Sequence, residues 1–299
     1  MVLIMPSEEY ETVNYDIPNM RDYYTHIKGN GEDKVTLMVY MIGSDLESDG
    51  GAASEDIAEM MAANADNINI TLQTGGAAAW ENANISDGKT ERHIIKNGEL
   101  QNVENLGEAQ MTSPNTLTDF IKWSAANYPA DRYELVLWNH GGGTALGFGY
   151  DEMYPDDMLS LSQIGNALSD SGIKFDIVGF DACLMGTIET AYMLEPYADY
   201  LVASEEYEPG TGWYYIEWLK NLSDNTSMPT VEIGKKIVED CINGPDSSFF
   251  DSNTLSIVDL REIPYTYSKL CEIMQQEEGV LDSSYSVISQ ARYNAKIIR

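Results

Sequence analysis

The sequence predicts an α/β fold: a mostly parallel central sheet with helices on both faces. Three observations carry that expectation. Short apolar, β-branched runs lack the polar alternation of half-exposed strands, segments of helical periodicity separate them, and polar motifs follow several of the runs directly. At 299 residues, 43% of them hydrophobic, the chain has the apolar material for a sizeable core.

Residues 1–33 are acidic, tyrosine-rich and aperiodic, and read as an extended N-terminal arm. The body, 34–299, starts with VTLMVYMI (Val35–Ile42), a continuous apolar run closed by Gly43 that reads as a strand buried on both faces. Beyond a polar loop, Ile57, Met60 and Met61 fall at helical spacing behind Ser54, the expected cap. Residues 68–74 form the next strand. Residues 90–107 read as a hairpin turning on Asn97-Gly98, a pair suited to the positive φ angles of a two-residue turn.

Ser113-Pro114 opens a helix that reaches Tyr128, since proline at the first helical position gives up an N–H that has no partner anyway. Tyr133–Trp138 is a third buried strand and runs straight into Asn139-His140-Gly141-Gly142-Gly143. The alternation continues with a helix over 161–169 and a strand over 175–180 followed by Asp181-Ala182-Cys183. A helix from Thr187 then leads to a strand over 200–204, followed by Glu205-Glu206. A helix over 229–241, a strand over 254–260 and a helix from Arg261 complete the series. The end at Arg299 reads equally as a processed terminus or as a chain cut short at its C-terminus.

Charge narrows the function. Seventeen Lys and Arg against 49 Asp and Glu give a net charge of −32, which repels nucleic acid and draws in cationic ligands. No run approaches the roughly 18 apolar residues of a membrane span. Cys183, Cys241 and Cys271 form no CxxC pair and no even set, so neither a disulfide framework nor a zinc site is expected. Met1–Pro6 lacks the basic and apolar regions of a signal peptide.

In open α/β sheets ligands bind beyond the carboxyl ends of the strands. Parallel strands ending at Trp138, Phe180 and Ser204 would bring His140, Asp181, Cys183 and Glu205 to one edge. A nucleophilic thiol needs a nearby base and a rigid turn, and Cys183 with His140 meets that requirement, whereas an inert thiol is the reading for Cys241 and Cys271. Glycines after the imidazole leave backbone N–H groups free, and those of Gly141 and Cys183 are the candidate oxyanion hole. Asp181 reads either as a loop-forming residue or as an anion that receives a cation. Glu205, Glu206 and Glu208, and the group Asp151, Glu152, Asp156 and Asp157, read as solvated surface; the second group lacks the spacing of a calcium loop.

WNHGGG (138–143), FDACLMG (180–186) and SEEYEPGTGW (204–213), in that order, resemble the clostripain family of cysteine peptidases, relatives of gingipains, legumains and caspases. The resemblance covers about 35–260. It implies a caspase-like α/β/α sandwich, His140 and Cys183 as a catalytic dyad, and Asp181 at the base of a pocket for Arg or Lys. It also implies a cleft loop that includes Glu205, Thr211 and Trp213. The implied activity is endopeptidase cleavage after Arg or Lys through an acyl-enzyme, with His140 mainly a general acid. Substrates would be proteins or peptides with basic residues, and the protein would be secreted or held at the cell surface. No cofactor is required and no metal ligands are expected, with calcium left as an option.

Family members are commonly matured by cleavage after a basic residue between the two motifs, yet 141–173 holds no Lys or Arg, so self-processing there is not expected. A rival reading is a catalytically silent caspase-like binding module of a larger surface protein. An esterase is disfavoured because no G-x-S-x-G elbow accompanies His-Gly-Gly-Gly.

Overall fold

The computed structural model describes residues 24–244, 254–276 and 284–294. Its eight strands are β1 (Val35–Ile42), β2 (Asn69–Gly75), β3 (Thr90–Lys96), β4 (Glu99–Gly107), β5 (Arg132–Trp138), β6 (Phe175–Asp181), β7 (Ala198–Ser204) and β8 (Leu255–Asp259). They form one sheet in the order β4-β3-β2-β1-β5-β6-β7-β8. The central pairs β2-β1, β1-β5, β5-β6 and β6-β7 are parallel, and the edge pairs are antiparallel. The chain first builds outward from β1 to β2, then returns to β5 on the other side. The topological switch therefore lies between β1 and β5, where such sheets open a crevice.

Helices cover both faces, as expected for parallel strands buried on both sides. One face carries α2 (Ala52–Ala62), α7 (Tyr215–Asp224) and α8 (Thr230–Asn243), packed through Ile57, Met60, Trp218, Leu222 and Ile233. The other carries α3 (Pro114–Asn127), α5 (Leu161–Ser171), α6 (Ile188–Leu194) and α9 (Ile263–Gln276), packed through Phe120, Ile164, Leu168, Leu194 and Ile263. Two short helices, α1 (Ser44–Ser48) and α4 (Gly143–Leu146), sit at the carboxyl edge, and α10 (Tyr285–Asn294) follows α9.

Pro114 starts α3 as the sequence indicates. Ser54 is not a cap: α2 begins at Ala52 after a left-handed Gly51, and Ser54 lies inside its first turn. The buried Glu47 carboxylate does the capping, accepting the Ser54 N–H at 2.8 Å and its hydroxyl as well.

Of the expected arm, 1–23 lie outside the described residues. Residues 24–33 are tied along the amino ends of the strands. Tyr24 stacks on Tyr200 and donates to the Asp259 carboxylate, Thr25 N–H donates to Asp199 at 2.7 Å, and Gly31 N–H donates to Ser227 at 2.8 Å.

Candidate active site

Register fixes the site. Met41 pairs with Trp138 across β1-β5, and Trp138 pairs with Asp181 across β5-β6, so these three strand ends are level at one edge. His140 lies two residues past β5, and Cys183 two residues past β6. Their turns touch: a Cβ on Gly141 would come within 2.2 Å of the Cys183 carbonyl oxygen, so only glycine permits this approach. The thiol turn is itself constrained, with Leu184 at φ 65, in the left-handed region. Leu184 N–H donates to Glu206 O at 3.1 Å and Gly186 N–H to Ser204 O at 2.7 Å, which ties the turn to the loop after β7.

The Gly141–Phe148 bridge is closed by Gly149 N–H to His140 O at 2.9 Å and Gly142 N–H to Gly147 O at 2.8 Å. The Gly141 N–H takes part in neither bond, as the proposed oxyanion donor requires. Cys183 Sγ accepts the Glu208 N–H at 3.3 Å. Burial pushes the thiol up, with the Asp181 charge adding to the rise. Among the described residues no hydrogen bond joins Cys183 to His140, and the thiol is neutral near pH 7. The His140 ring is bound elsewhere, with Nε2 2.9 Å from Asp45 Oδ1.

Asp181, the last residue of β6, is buried. Its carboxyl accepts the Trp213 N–H at 3.1 Å and the Tyr215 hydroxyl at 2.7 Å. Asp56 of α2 and Glu208 are buried beside it, so the three side chains are 1%, 4% and 8% exposed for Asp56, Asp181 and Glu208. Asp56 accepts the Trp138 indole N–H at 2.6 Å. Among the described residues, neither Glu208 carboxyl oxygen has a hydrogen-bond partner. Burial raises all three carboxyls above the ordinary range; the Asp181 charge raises Asp56 and Glu208 further, whereas Asp181 itself is held down in part by the hydrogen bonds of Tyr215 and Trp213 and pushed up by the Glu59 charge. Gly212, at φ 66, allows the loop to close over Asp56 and Asp181, for a Cβ there would lie 2.7 Å from Asp56 Oδ2.

The structure thus brings His140, Gly141, Asp181 and Cys183 together. Of the three residues of the expected cleft loop, Glu205 and Thr211 are exposed, whereas the Trp213 ring is buried over Gly179. Trp213 meets the site through its backbone N–H. Two readings of surface acids change. Glu208 is buried, because the loop folds back over the thiol. Asp151 is buried too, accepting N–H groups of Met111 and Met153, while Glu152 accepts from Ser48 and Ala78. Asp56 and Asp45 escaped the sequence reading. Asp56 carried a signal, since it shares the spacing of Ala53, Ile57 and Met60 on the buried face of α2.

A parallel-centred sandwich that presents a thiol, an imidazole and free backbone N–H groups at its carboxyl edge is the architecture of a caspase-like peptidase. The model of the clostripain family, peptidase family C11, matches residues 39–297, and the chain belongs to that family. It is 30% identical over 228 residues to clostripain of Hathewaya histolytica, an alignment covering 62% of this chain and 41% of that protein. The chain thus spans well under half the length of that curated relative.

Two solved structures share the fold. The secreted C11 cysteine protease iotapain of Bacteroides thetaiotaomicron matches with a TM-score of 0.65 at 19% identity, covering 82% of this chain and 71% of iotapain. An inactive zymogen C11 protease of Parabacteroides distasonis matches with a TM-score of 0.57 at 23% identity, covering 77% of this chain and 63% of that one.

Proposed function

We propose that this chain is a cysteine endopeptidase that cleaves after Arg or Lys. One observation carries the basic preference: among the described residues, no Lys or Arg forms an ion pair with Asp56, Asp181 or Glu208, although all three are buried next to the thiol turn. Buried carboxyls are ordinarily paired or neutral. A guanidinium or ammonium entering from the substrate supplies the missing charge, and the negative surface field favours its approach.

In the acylation step the Cys183 sulfur attacks the scissile carbonyl carbon as its proton passes to His140. The carbonyl oxygen becomes an oxyanion held by the Gly141 and Cys183 N–H groups. Collapse breaks the C–N bond while the imidazolium returns the proton to the leaving amine, and a thioester remains. Water then attacks the thioester, its proton goes by way of His140 to the departing sulfur, and the free thiol is restored.

No cofactor enters this scheme, and calcium is an arm of the test. Substrates are proteins or peptides with basic residues. We further propose a secreted or surface location, in keeping with the secreted relative; no described helix is long and apolar enough to cross a membrane.

The test is hydrolysis of fluorogenic peptides ending in Arg, Lys, Asp or Leu, with and without calcium. Wild type is compared with Cys183→Ala and Asp181→Ala. The expected result is cleavage after Arg or Lys alone, abolished in the cysteine variant and reduced roughly 100-fold in the aspartate variant, as for loss of a buried charge partner. Cleavage after Leu that survives Asp181→Ala would overturn the pocket assignment. No cleavage together with no alkylation of Cys183 would return the chain to a silent binding module.

A further inference from the structure

We propose that Asp45 is the positioning residue of the site: it holds the His140 ring by Nε2 and so dedicates Nδ1 to proton exchange with thiol and substrate. The inference rests on the peptidase reading and extends it from a dyad to a three-residue relay.

The contact is direct. Asp45 Oδ1 lies 2.9 Å from His140 Nε2, with the two side chains 48% and 40% exposed. Burial pushes the Asp45 carboxyl up, but the hydrogen bond and charge of His140, together with Ser44, bring it below its ordinary value, so it is ionised. An ionised carboxylate only accepts hydrogen bonds. The ring nitrogen facing it must therefore carry the hydrogen, which fixes the tautomer. The neutral ring then offers its lone pair at Nδ1. That nitrogen takes the thiol proton as the S–C bond forms and gives it to the amine nitrogen as the C–N bond breaks. Asp45 stays charged throughout and stabilises the imidazolium between those events.

The surroundings hold Asp45 in this place. It stands in the first turn of α1, immediately after β1, and the turn is made by a left-handed, non-glycine residue, Ser44 at φ 53. Such a conformation persists only where neighbours determine it. Ser44 is fully buried, and its hydroxyl accepts from Asn139 Nδ2 at 2.9 Å. The same Asn139 amide donates to Ile42 O at 2.6 Å, and the Asn139 backbone N–H donates to Asp181 O at 3.2 Å. One residue adjacent to His140 thereby clamps the ends of β1, β5 and β6, and fixes carboxylate and imidazole in relative position. Tyr150, ring centroid 6.4 Å from His140, flanks the imidazole, and its N–H is taken by Asn139 Oδ1.

The test compares the full chain with Asp45→Asn, Asp45→Ala and Asp45→Glu. Steady-state cleavage of an Arg peptide is measured, together with long-range ¹H–¹⁵N correlation spectra of the imidazoles. With three histidines in the chain, the His140 signals are assigned through His140→Gln. In wild type the spectra should show hydrogen at Nε2. In Asp45→Asn they should show a tautomer mixture. kcat should fall roughly 100-fold, the lower range of what general acid–base catalysis supplies, with KM within two-fold of wild type and partial rescue by Asp45→Glu. An unchanged tautomer with kcat within two-fold of wild type in Asp45→Asn overturns the proposal while leaving the peptidase reading intact. A wild type that cleaves nothing overturns the peptidase reading, and the tautomer comparison then decides whether Asp45 governs the ring.

Discussion

The two ends of the central sheet both bury carboxyl groups, and they treat them in opposite ways. At the amino end, Asp176 and Arg132 are completely buried and meet at 2.6 Å. The guanidinium makes three further hydrogen bonds, donating to Thr226 O, Met228 O and Thr230 Oγ1 at 2.8–3.0 Å. At the carboxyl end, Asp56, Asp181 and Glu208 are buried with, among the described residues, hydrogen bonds for two of them and a cation for none. The same chemical group is part of the scaffold at one end and raises the energy of the resting protein at the other. An internal arginine at one end and none at the other is the contrast on which the proposed entry of a substrate cation rests.

Breaking the paired end should have the largest effect. Arg132→Ala leaves Asp176 buried without its partner and frees two carbonyls and a hydroxyl, so it should destabilise the fold by about 3–5 kcal/mol. Urea unfolding measures this. A loss under about 1 kcal/mol would mean that the amino end relaxes and hydrates, and the contrast between the two ends would be lost.

How much of this was legible in sequence follows the same division. The juxtaposition of His140 and Cys183 could be read because each directly follows a continuous apolar run, and a strand end in a parallel sheet has only one place to point. The hairpin at Asn97-Gly98 and the proline start of α3 were likewise local signals. The acidic pocket could not be assembled in that way. Among 49 acidic residues, nothing local separates Glu208 from Glu205 or Glu206, since burial of Glu208 comes from the loop folding over the thiol. Asp45 stands in a helix of five residues, too short to carry a periodic signal, and meets His140 only through the adjacency of β1 and β5. Helix α7 was readable yet unread: Tyr215, Trp218, Leu219 and Leu222 follow helical spacing, but they come directly after the glycine-rich loop.

A smaller effect sharpens the comparison through pH. Even the paired end holds one carboxyl too many: Glu134, buried beside Arg132, is raised by burial to about 8. In the unfolded chain it titrates near its ordinary value, so between those limits only the folded form keeps the proton. Stability from this group is therefore lost as pH rises toward 8, at about 1.4 kcal/mol per pH unit. His93 acts in the opposite sense, since burial lowers it to about 4. Its contribution grows with pH only up to its unfolded value near 6.5. The window from pH 6.5 to 8 isolates the carboxyls. Glu134 should account for on the order of 1–2 kcal/mol of the loss across it, and Glu134→Gln should reduce the slope by that share. A slope unchanged by that substitution would place the linkage at the other end, in the acidic pocket.

The smallest effect is the most discriminating, because stability and activity should move apart. Among the described residues Glu208 has neither hydrogen-bond partner nor cation, and its carboxyl is raised by burial, then by Asp181 and Cys183. Glu208→Gln keeps the side-chain volume and leaves the backbone N–H on the Cys183 sulfur. It also removes a group whose ionisation opposes folding. The variant should be more stable than wild type by at least about 1 kcal/mol at pH 8, with little difference below about pH 4, where the carboxyl is protonated in folded and unfolded chains alike. Its kcat/KM for Arg peptides should fall by roughly 10-fold, since one of three charges facing the substrate cation is gone. Gain in one and loss in the other is the pattern of a group kept for recognition at the expense of the resting fold. If both fall together, Glu208 is a packing residue of the loop, and the carboxyl end of the sheet is less unlike the amino end than its geometry indicates.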